Sequence, residues 1–164
     1  RCRGEPRMTH ASKRSEPWRI FLAEDNQGDV WLVQEALRRQ AIEFSLDHHA
    51  TVEDAIRGAR ECGSNGAPVP HIILLDYNLP RGHGGDILAA VGENPRLAGV
   101  PKVILTSFLR PAELQEARRL GANCVITKPA SLNEFLSEVG GKVVELVRSH
   151  SQTGTSVIGG AATS

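Results

Sequence analysis

Residues 71–80 read HIILLDYNLP, and this stretch decides how the rest of the chain is interpreted. Four apolar residues run without a break into Asp76, and Pro80 and the three glycines of segment 81–85 predict that a loop follows. A short apolar run bounded by turn residues is typical of a strand buried on both faces of a parallel sheet. The acid at its end would then lie at the carboxyl edge, where open α/β sheets place their sites. The alternative is that Asp76 only caps the next turn.

The composition indicates one globular domain without a strong charge. The chain has 164 residues, 40% of them hydrophobic, which is enough for a core. Lys+Arg and Asp+Glu each total 19, so nucleic acid is not favoured as a direct partner. No apolar run approaches the length of a membrane span. The three cysteines, Cys2, Cys62 and Cys124, lack metal-ligand spacing and predict reduced thiols in a cytoplasmic protein.

The domain itself is predicted over residues 18–148. Residues 1–17 are basic without an apolar core and are interpreted as a flexible arm rather than a secretory signal. Residues 149–164 contain mostly Ser, Thr, Gly and Ala and are predicted to be a disordered tail. Met8 could be the natural start, so whether residues 1–7 are native stays open.

Strand and helix patterns alternate five times within the domain. Strands are predicted at 19–23, 44–50, 72–75, 102–106 and 124–127. Helical apolar spacing follows each of them, at 29–39, 52–62, 86–92, 112–120 and 132–147. Alternation of this kind with short links predicts an α/β fold, in which helices cover both faces of a five-stranded parallel sheet.

Chemically active side chains follow four of the five predicted strands. They are Glu24 and Asp25 after the first strand, Asp76 after the third, Thr106 and Ser107 at the end of the fourth, and Lys128 with Pro129 after the fifth. Because parallel strands bring their carboxyl ends to one edge of the sheet, we expect these groups to meet. That convergence favours a functional role for Asp76.

The residue types at this edge are those that phosphoryl transfer requires. Two carboxylates at roughly 4 Å repel by on the order of 4 kcal/mol at an effective dielectric near 20, so the cluster must take up a proton or a hard cation. A carboxylate pair with an open face suits Mg²⁺, and a lysine supplies a point charge for a phosphoryl group. A hydroxyl can donate to a phosphoryl oxygen, and Asp76 can act as the nucleophile.

With these motifs in order, the chain resembles the receiver domain of bacterial response regulators, the CheY-like module of two-component signalling. The spacings of 30 residues from Asp76 to Thr106 and 22 from Thr106 to Lys128 suit that family. The strings EDN at 24–26, LLDYNLP at 74–80 and GANC at 121–124 resemble the small regulators that partner phytochrome-type kinases. The resemblance implies a flavodoxin-like fold with strand order 2-1-3-4-5.

The resemblance also implies a role for each residue of the site. Asp76 would accept phosphate from a histidine kinase, with the phytochrome type as the implied class, or from a phosphotransfer protein. The implied Mg²⁺ ligands are Asp25, Asp76 and the main-chain carbonyl of Asn78, with Glu24 acting through water. Lys128 would pair with the phosphoryl group, Thr106 would move to bind it, and the Lys128–Pro129 bond would be cis.

One position departs from the family pattern. The family usually has an aromatic residue three positions before the lysine, and here that residue is Val125. Because valine has no ring to bury and a stiff χ1, coupling would run through Thr106, the 107–111 loop and the fourth helix instead. The expected output is a stand-alone switch that binds a protein target or a second copy through helix four, strand five and helix five.

Two alternatives stay open at this point. Phosphatases of the haloacid-dehalogenase type also use an aspartate after a buried strand, but they need a second Asp two residues later, where this chain has Asn78. A pseudo-receiver that binds partners without phosphorylation is the other alternative. The full set of acids, hydroxyl and lysine argues against it.

Overall fold

Five parallel strands form one sheet in the computed structural model, which describes residues 16–152; the greater part of both predicted arms, residues 1–15 and 153–164, lies outside that range. The strands are β1 Trp18–Ala23, β2 Phe44–His49, β3 Ile72–Leu75, β4 Lys102–Thr106 and β5 Cys124–Thr127. Their order across the sheet is β2-β1-β3-β4-β5, so the predicted fold and strand order are confirmed.

Helices cover both faces of this sheet, as predicted. They are α1 Gln27–Arg39, α2 Val52–Glu61, α3 Gly84–Glu93, α4 Pro111–Arg119 and α5 Leu132–Gln152, with a short 3₁₀ helix at Pro95–Leu97 before β4. Helices α1 and α5 pack on one face, and α2, α3 and α4 pack on the other. Strand β3 lies in the middle and is buried on both sides, which accounts for its unbroken apolar sequence.

Two helix starts differ from the sequence prediction. Helix α1 begins at Gln27 rather than near Asp29, because the Asn26 side chain caps it by accepting from the Asp29 N–H. Helix α3 begins at Gly84, so the prediction that Gly84 and Gly85 belong to a loop was wrong. A Cβ on Gly84 would lie 2.7 Å from the Cα of Tyr77, and this close approach explains a glycine at a helix start.

The last helix is longer than the sequence suggested. Helix α5 ends at Gln152, so the predicted disorder of residues 149–152 was wrong. The hydroxyls of Ser149 and Ser151 donate to the carbonyls of Leu146 and Val147, which keeps these polar residues inside the helix. Composition alone does not reveal such local bonds.

An imidazole fixes α2 against the edge of the sheet. The ring of His49, at the end of β2, lies 4.4 Å from the ring of Phe21, and a Cβ on Gly58 of α2 would come within 2.4 Å of it. Its Nδ1 is 2.9 Å from a carboxylate oxygen of Asp54, in the first turn of α2. The ring therefore occupies the position that a side chain at residue 58 would take.

The structure also bears on the predictions about the cysteine thiols and about membrane-spanning helices. Cys62 is buried, Cys124 is half-buried, and both are free thiols; Cys2 lies outside the described residues. Within residues 16–152, no helix combines the length and the apolar character needed to cross a bilayer.

Candidate functional site

The predicted site residues meet where four strands end. Main-chain bonds continue the sheet beyond the strands: the Asp76 N–H donates to Ala23 (2.9 Å), and the Lys128 N–H donates to Thr106 (2.8 Å). These bonds fix the backbone of Asp76 and Lys128 although both residues lie in loops. The convergence predicted from the strand ends is therefore present in the structure.

The ammonium of Lys128 lies at the centre of this cluster. Its Nζ is 2.7 Å from carboxylate oxygens of Glu24, Asp29 and Asp76. The Lys128 side chain is only 9% exposed, and that of Glu24 is 2% exposed. An ammonium has three N–H donors, so each of them is used by a carboxylate.

Burial and pairing act in opposite directions on the charges of the cluster. Burial disfavours the charged form of Lys128, but the hydrogen bonds that it donates to Asp29, Asp76 and Glu24 outweigh burial and raise the pKa of the ammonium above its usual value. For Glu24, burial is the largest effect and raises the pKa of the carboxyl, while the hydrogen bond from Lys128 opposes it. The buried cationic partner is thus what keeps this group of acids together.

The acid at position 24 is held by contacts from three directions. Besides Lys128, its second carboxylate oxygen accepts from the Asn26 N–H at 3.0 Å. Its main-chain carbonyl lies 2.7 Å from Nε2 of His48, which comes from the neighbouring strand β2. Glu24 is therefore a fixed part of the site.

A second set of bonds joins Asp76 to the end of β4. The Asn78 N–H donates to one carboxylate oxygen of Asp76 at 2.9 Å. The Asn78 side-chain amide donates to the Thr106 hydroxyl and to the Phe108 carbonyl, both at 2.8 Å. The Thr106 hydroxyl in turn donates to the Phe108 carbonyl at 3.2 Å. The hydroxyl predicted to bind a phosphoryl group is thus engaged with the β4–α4 loop.

Two further oxygen-bearing groups of the predicted site are without hydrogen-bonding partners among residues 16–152. Asp25 is exposed, and its carboxylate has no hydrogen bond or ion pair with any residue from 16 to 152; the main-chain carbonyl of Asn78 likewise accepts from none of them. Within the same range, no three His, Cys, Asp or Glu side chains form a complete metal site. Two carboxylates, one carbonyl and water are the ligand set that Mg²⁺ commonly takes, so the residues present fit the ion.

Sequence reasoning missed two contributors to the site and was wrong on one detail. Asp29 was interpreted only as a helix residue, although an acid in the first turn after the Glu24–Asp25 pair points back to the strand ends. His48 comes from β2, the one predicted strand that no chemically active side chain was predicted to follow. No cis peptide bond occurs among the described residues, so the implied cis Lys128–Pro129 bond is not found.

Comparison with known families agrees with this arrangement. The family model described as "Response regulator receiver domain" matches residues 20–140. The chain belongs to the response regulator receiver family. The receiver domain is the signalling module of two-component systems and not a classical enzyme, so a phosphatase of the haloacid-dehalogenase type is not supported.

Particular relatives place it near the cyanobacterial regulators. The response regulator Rcp1 of Synechocystis is 31% identical over 80% of this chain and 90% of its own. The crystal structure of a phosphorylated cyanobacterial phytochrome response regulator, RcpA, matches at TM-score 0.69 and 32% identity, covering 77% of this chain and 91% of that one. The Mn²⁺-bound form of Rcp1 matches at TM-score 0.68 and 29% identity, covering 89% and 100%.

Proposed function

We propose that this receiver domain accepts a phosphoryl group on Asp76 from a phosphohistidine of a histidine kinase or phosphotransfer protein. The observation that carries this proposal is the position of Asp76: the residue follows a fully buried strand, its side chain is 10% exposed, and its carboxylate lies 2.7 Å from the ammonium of Lys128. RcpA, a similar protein, has been crystallised in a phosphorylated form.

In the transfer, a carboxylate oxygen of Asp76 forms a bond to phosphorus while the bond from phosphorus to the histidine nitrogen breaks. Lys128 would follow the charge of the transferred group, because it already lies against the acceptor oxygen. Asp25, Asp76 and the Asn78 carbonyl would hold Mg²⁺, with Glu24 acting through water. The ion would neutralise charge on the phosphoryl oxygens.

The switch would begin with Thr106. Its hydroxyl must give up the Phe108 carbonyl before it donates to a phosphoryl oxygen, because a hydroxyl has one proton to donate. The Asn78 amide binds both partners of that bond, so the β4–α4 loop would respond when either moves. With Val125 half-buried at the usual aromatic position, no ring rotation takes part, and the loop and α4 would carry the change.

The surface formed by α4, β5 and α5 is the proposed output. Strand β5 is the edge of the sheet, and an open groove of about 570 Å³ lies between it and α5, lined in part by Val125, Ile126 and Lys142. Phosphorylation would shift a pre-existing equilibrium of this surface between two conformations. A protein target or a second copy of the chain would bind the conformation that phosphorylation favours.

Phosphorylation by a small-molecule donor tests the acceptor directly. After incubation with acetyl phosphate and Mg²⁺, wild type should gain one phosphoryl group by intact mass, and Asp76→Asn should gain none. Asp86→Asn is the matched control, because it removes an exposed acid from the first turn of α3 and should react like wild type.

Two results would contradict the proposal. The first is uptake of phosphate by Asp76→Asn at the wild-type rate. The second is a wild-type protein that gains no phosphate and whose NMR spectrum does not respond to beryllium fluoride with Mg²⁺, which would favour a pseudo-receiver.

For the kinase class, a phosphorylated phytochrome-type kinase should transfer to wild type faster than an unrelated histidine kinase does.

A further inference from the structure

The third carboxylate on Lys128 belongs to no role assigned so far. Asp29 lies in the first turn of α1, and its carboxylate is 2.7 Å from Nζ of Lys128. With Glu24 and Asp76 on the other two donors, the ammonium has no N–H left for a new ligand. A phosphoryl oxygen can bind Lys128 only if one carboxylate leaves.

The three carboxylates are not equally easy to release. The Glu24 side chain is 2% exposed and also accepts from the Asn26 N–H. Asp76 is the acceptor itself, so its charge holds Lys128 until the bond to phosphorus forms, and its second oxygen accepts from the Asn78 N–H. The Asp29 side chain is 26% exposed, and Lys128 is its one partner among residues 16–152. Asp29 can therefore turn to water, and the Lys128 N–H that it releases becomes available to a phosphoryl oxygen.

We propose that Asp29 is a positioning residue that holds Lys128 in the unphosphorylated state and must be displaced by the incoming phosphoryl group. This inference rests on the proposed function of Asp76. Asp29 competes with the phosphoryl oxygen for the same N–H, and its charge repels the anionic donor. Asp29 therefore lowers the affinity of the site for a phosphoryl group and the rate at which Asp76 becomes phosphorylated.

The Asp29 carboxylate, which holds Lys128, is not needed to keep α1 in place. The Asn26 side chain caps α1 through the Asp29 main-chain N–H, which every residue except proline retains at position 29. Helix α1 also stays attached to the core through Val30, Val33 and Leu37. Replacing the carboxylate by an amide of the same shape should therefore leave α1 in place.

The test compares Asp29→Asn and Asp29→Glu with wild type. The probe is beryllium fluoride, titrated at saturating Mg²⁺ and followed by NMR, with the Mg²⁺ affinity of each variant measured separately. Loss of a partly exposed charge contact predicts that Asp29→Asn binds the probe about fivefold more tightly and is phosphorylated about fivefold faster by acetyl phosphate. Asp29→Glu, which keeps the charge, should return towards wild type.

A control variant and a second measurement show whether loss of the contact between Asp29 and Lys128 causes the tighter binding. Asp86→Asn removes one acid from the first turn of another helix and should match wild type. Without Mg²⁺ or any phosphoryl donor, the Lys128 ammonium protons should exchange with water faster in Asp29→Asn than in wild type, because one of their three acceptors is gone.

The outcomes separate the two proposals. If wild type responds to the probe and Asp29→Asn binds it no more tightly, Asp29 does not compete and only this inference fails. If wild type neither binds beryllium fluoride nor gains phosphate, the proposed function fails and this inference with it.

Discussion

Two lysines with little-exposed side chains lie at opposite ends of the sheet and have different partners. Lys128, beyond the carboxyl end of β5, is surrounded by the carboxylates of Glu24, Asp29 and Asp76. Lys102, at the amino end of β4, is 7% exposed, and its Nζ donates to the main-chain carbonyls of Leu97 at 3.0 Å and Val100 at 2.9 Å. One ammonium has charged partners and the other has neutral ones.

The difference appears in their proton affinity. Burial lowers the pKa of Lys102, because carbonyl dipoles do not fully replace water around a charge. The pKa of Lys128 is raised, because its carboxylates outweigh the same burial effect. The carbonyls around Lys102 are part of the main chain and cannot leave, whereas a carboxylate can be exchanged for a phosphoryl oxygen. Lys102 therefore stabilises the fold, and Lys128 would serve the proposed phosphoryl transfer to Asp76.

Removing Lys128 should have the largest effect. In Lys128→Met the buried acids lose their common partner, which should lower the free energy of unfolding by about 3 kcal/mol in EDTA. Phosphorylation by acetyl phosphate should slow by about 100-fold, as for loss of one donor to a developing anion. Urea unfolding and intact mass measure the two effects.

Added Mg²⁺ makes this prediction specific to the site. If the acids form the cation site, Mg²⁺ should restore part of the stability of Lys128→Met and stabilise it more than it stabilises wild type. Equal stabilisation of both proteins by the ion would contradict the electrostatic explanation.

Removing Lys102 should affect stability alone. Lys102→Met leaves the buried carbonyl of Val100 without a donor and that of Leu97 with only the Val100 N–H, so the free energy of unfolding should fall by about 2 kcal/mol. Mg²⁺ should stabilise this variant only as much as wild type, and the phosphorylation rate should be unchanged. A slower phosphorylation rate would show that the two ends of the sheet are coupled.

Tyr77 shows, with a smaller expected effect, how burial shifts a pKa when no opposite charge compensates for it. Its ring is fully buried, and burial, together with nearby Glu116, raises the pKa of its phenol to about 12. It is the only tyrosine in the chain, so ultraviolet absorbance reports it directly. The titration midpoint should lie at about 12 in the folded protein and near the ordinary value of about 10 in denaturant.

The sign of the linked stability effect follows. Above about pH 10 the unfolded chain releases the phenol proton first, so this contribution to stability is complete below that pH and is lost as the pH rises towards 12. Tyr77→Phe should remove this part of the alkaline decline. A folded-state midpoint near 10 would show that the ring is accessible to water.

The sequence predicted the fold and most of the site because both depend on periodic or positional signals. The unbroken apolar run before Asp76 gives a central strand, and strand ends give Glu24, Thr106 and Lys128 one common edge. Asp29 was missed because it lies within a helix rather than at a strand end. The side-chain bonds from Asn78 to the β4–α4 loop join residues some 30 positions apart, which no local pattern encodes.

The His49 ring between β2 and α2 has a mechanical consequence. Since a single methyl at position 58 would collide with this ring, a larger residue there would displace the ring or push α2 away from β2. The contact between β2 and α2 therefore depends on the absence of a side chain at position 58.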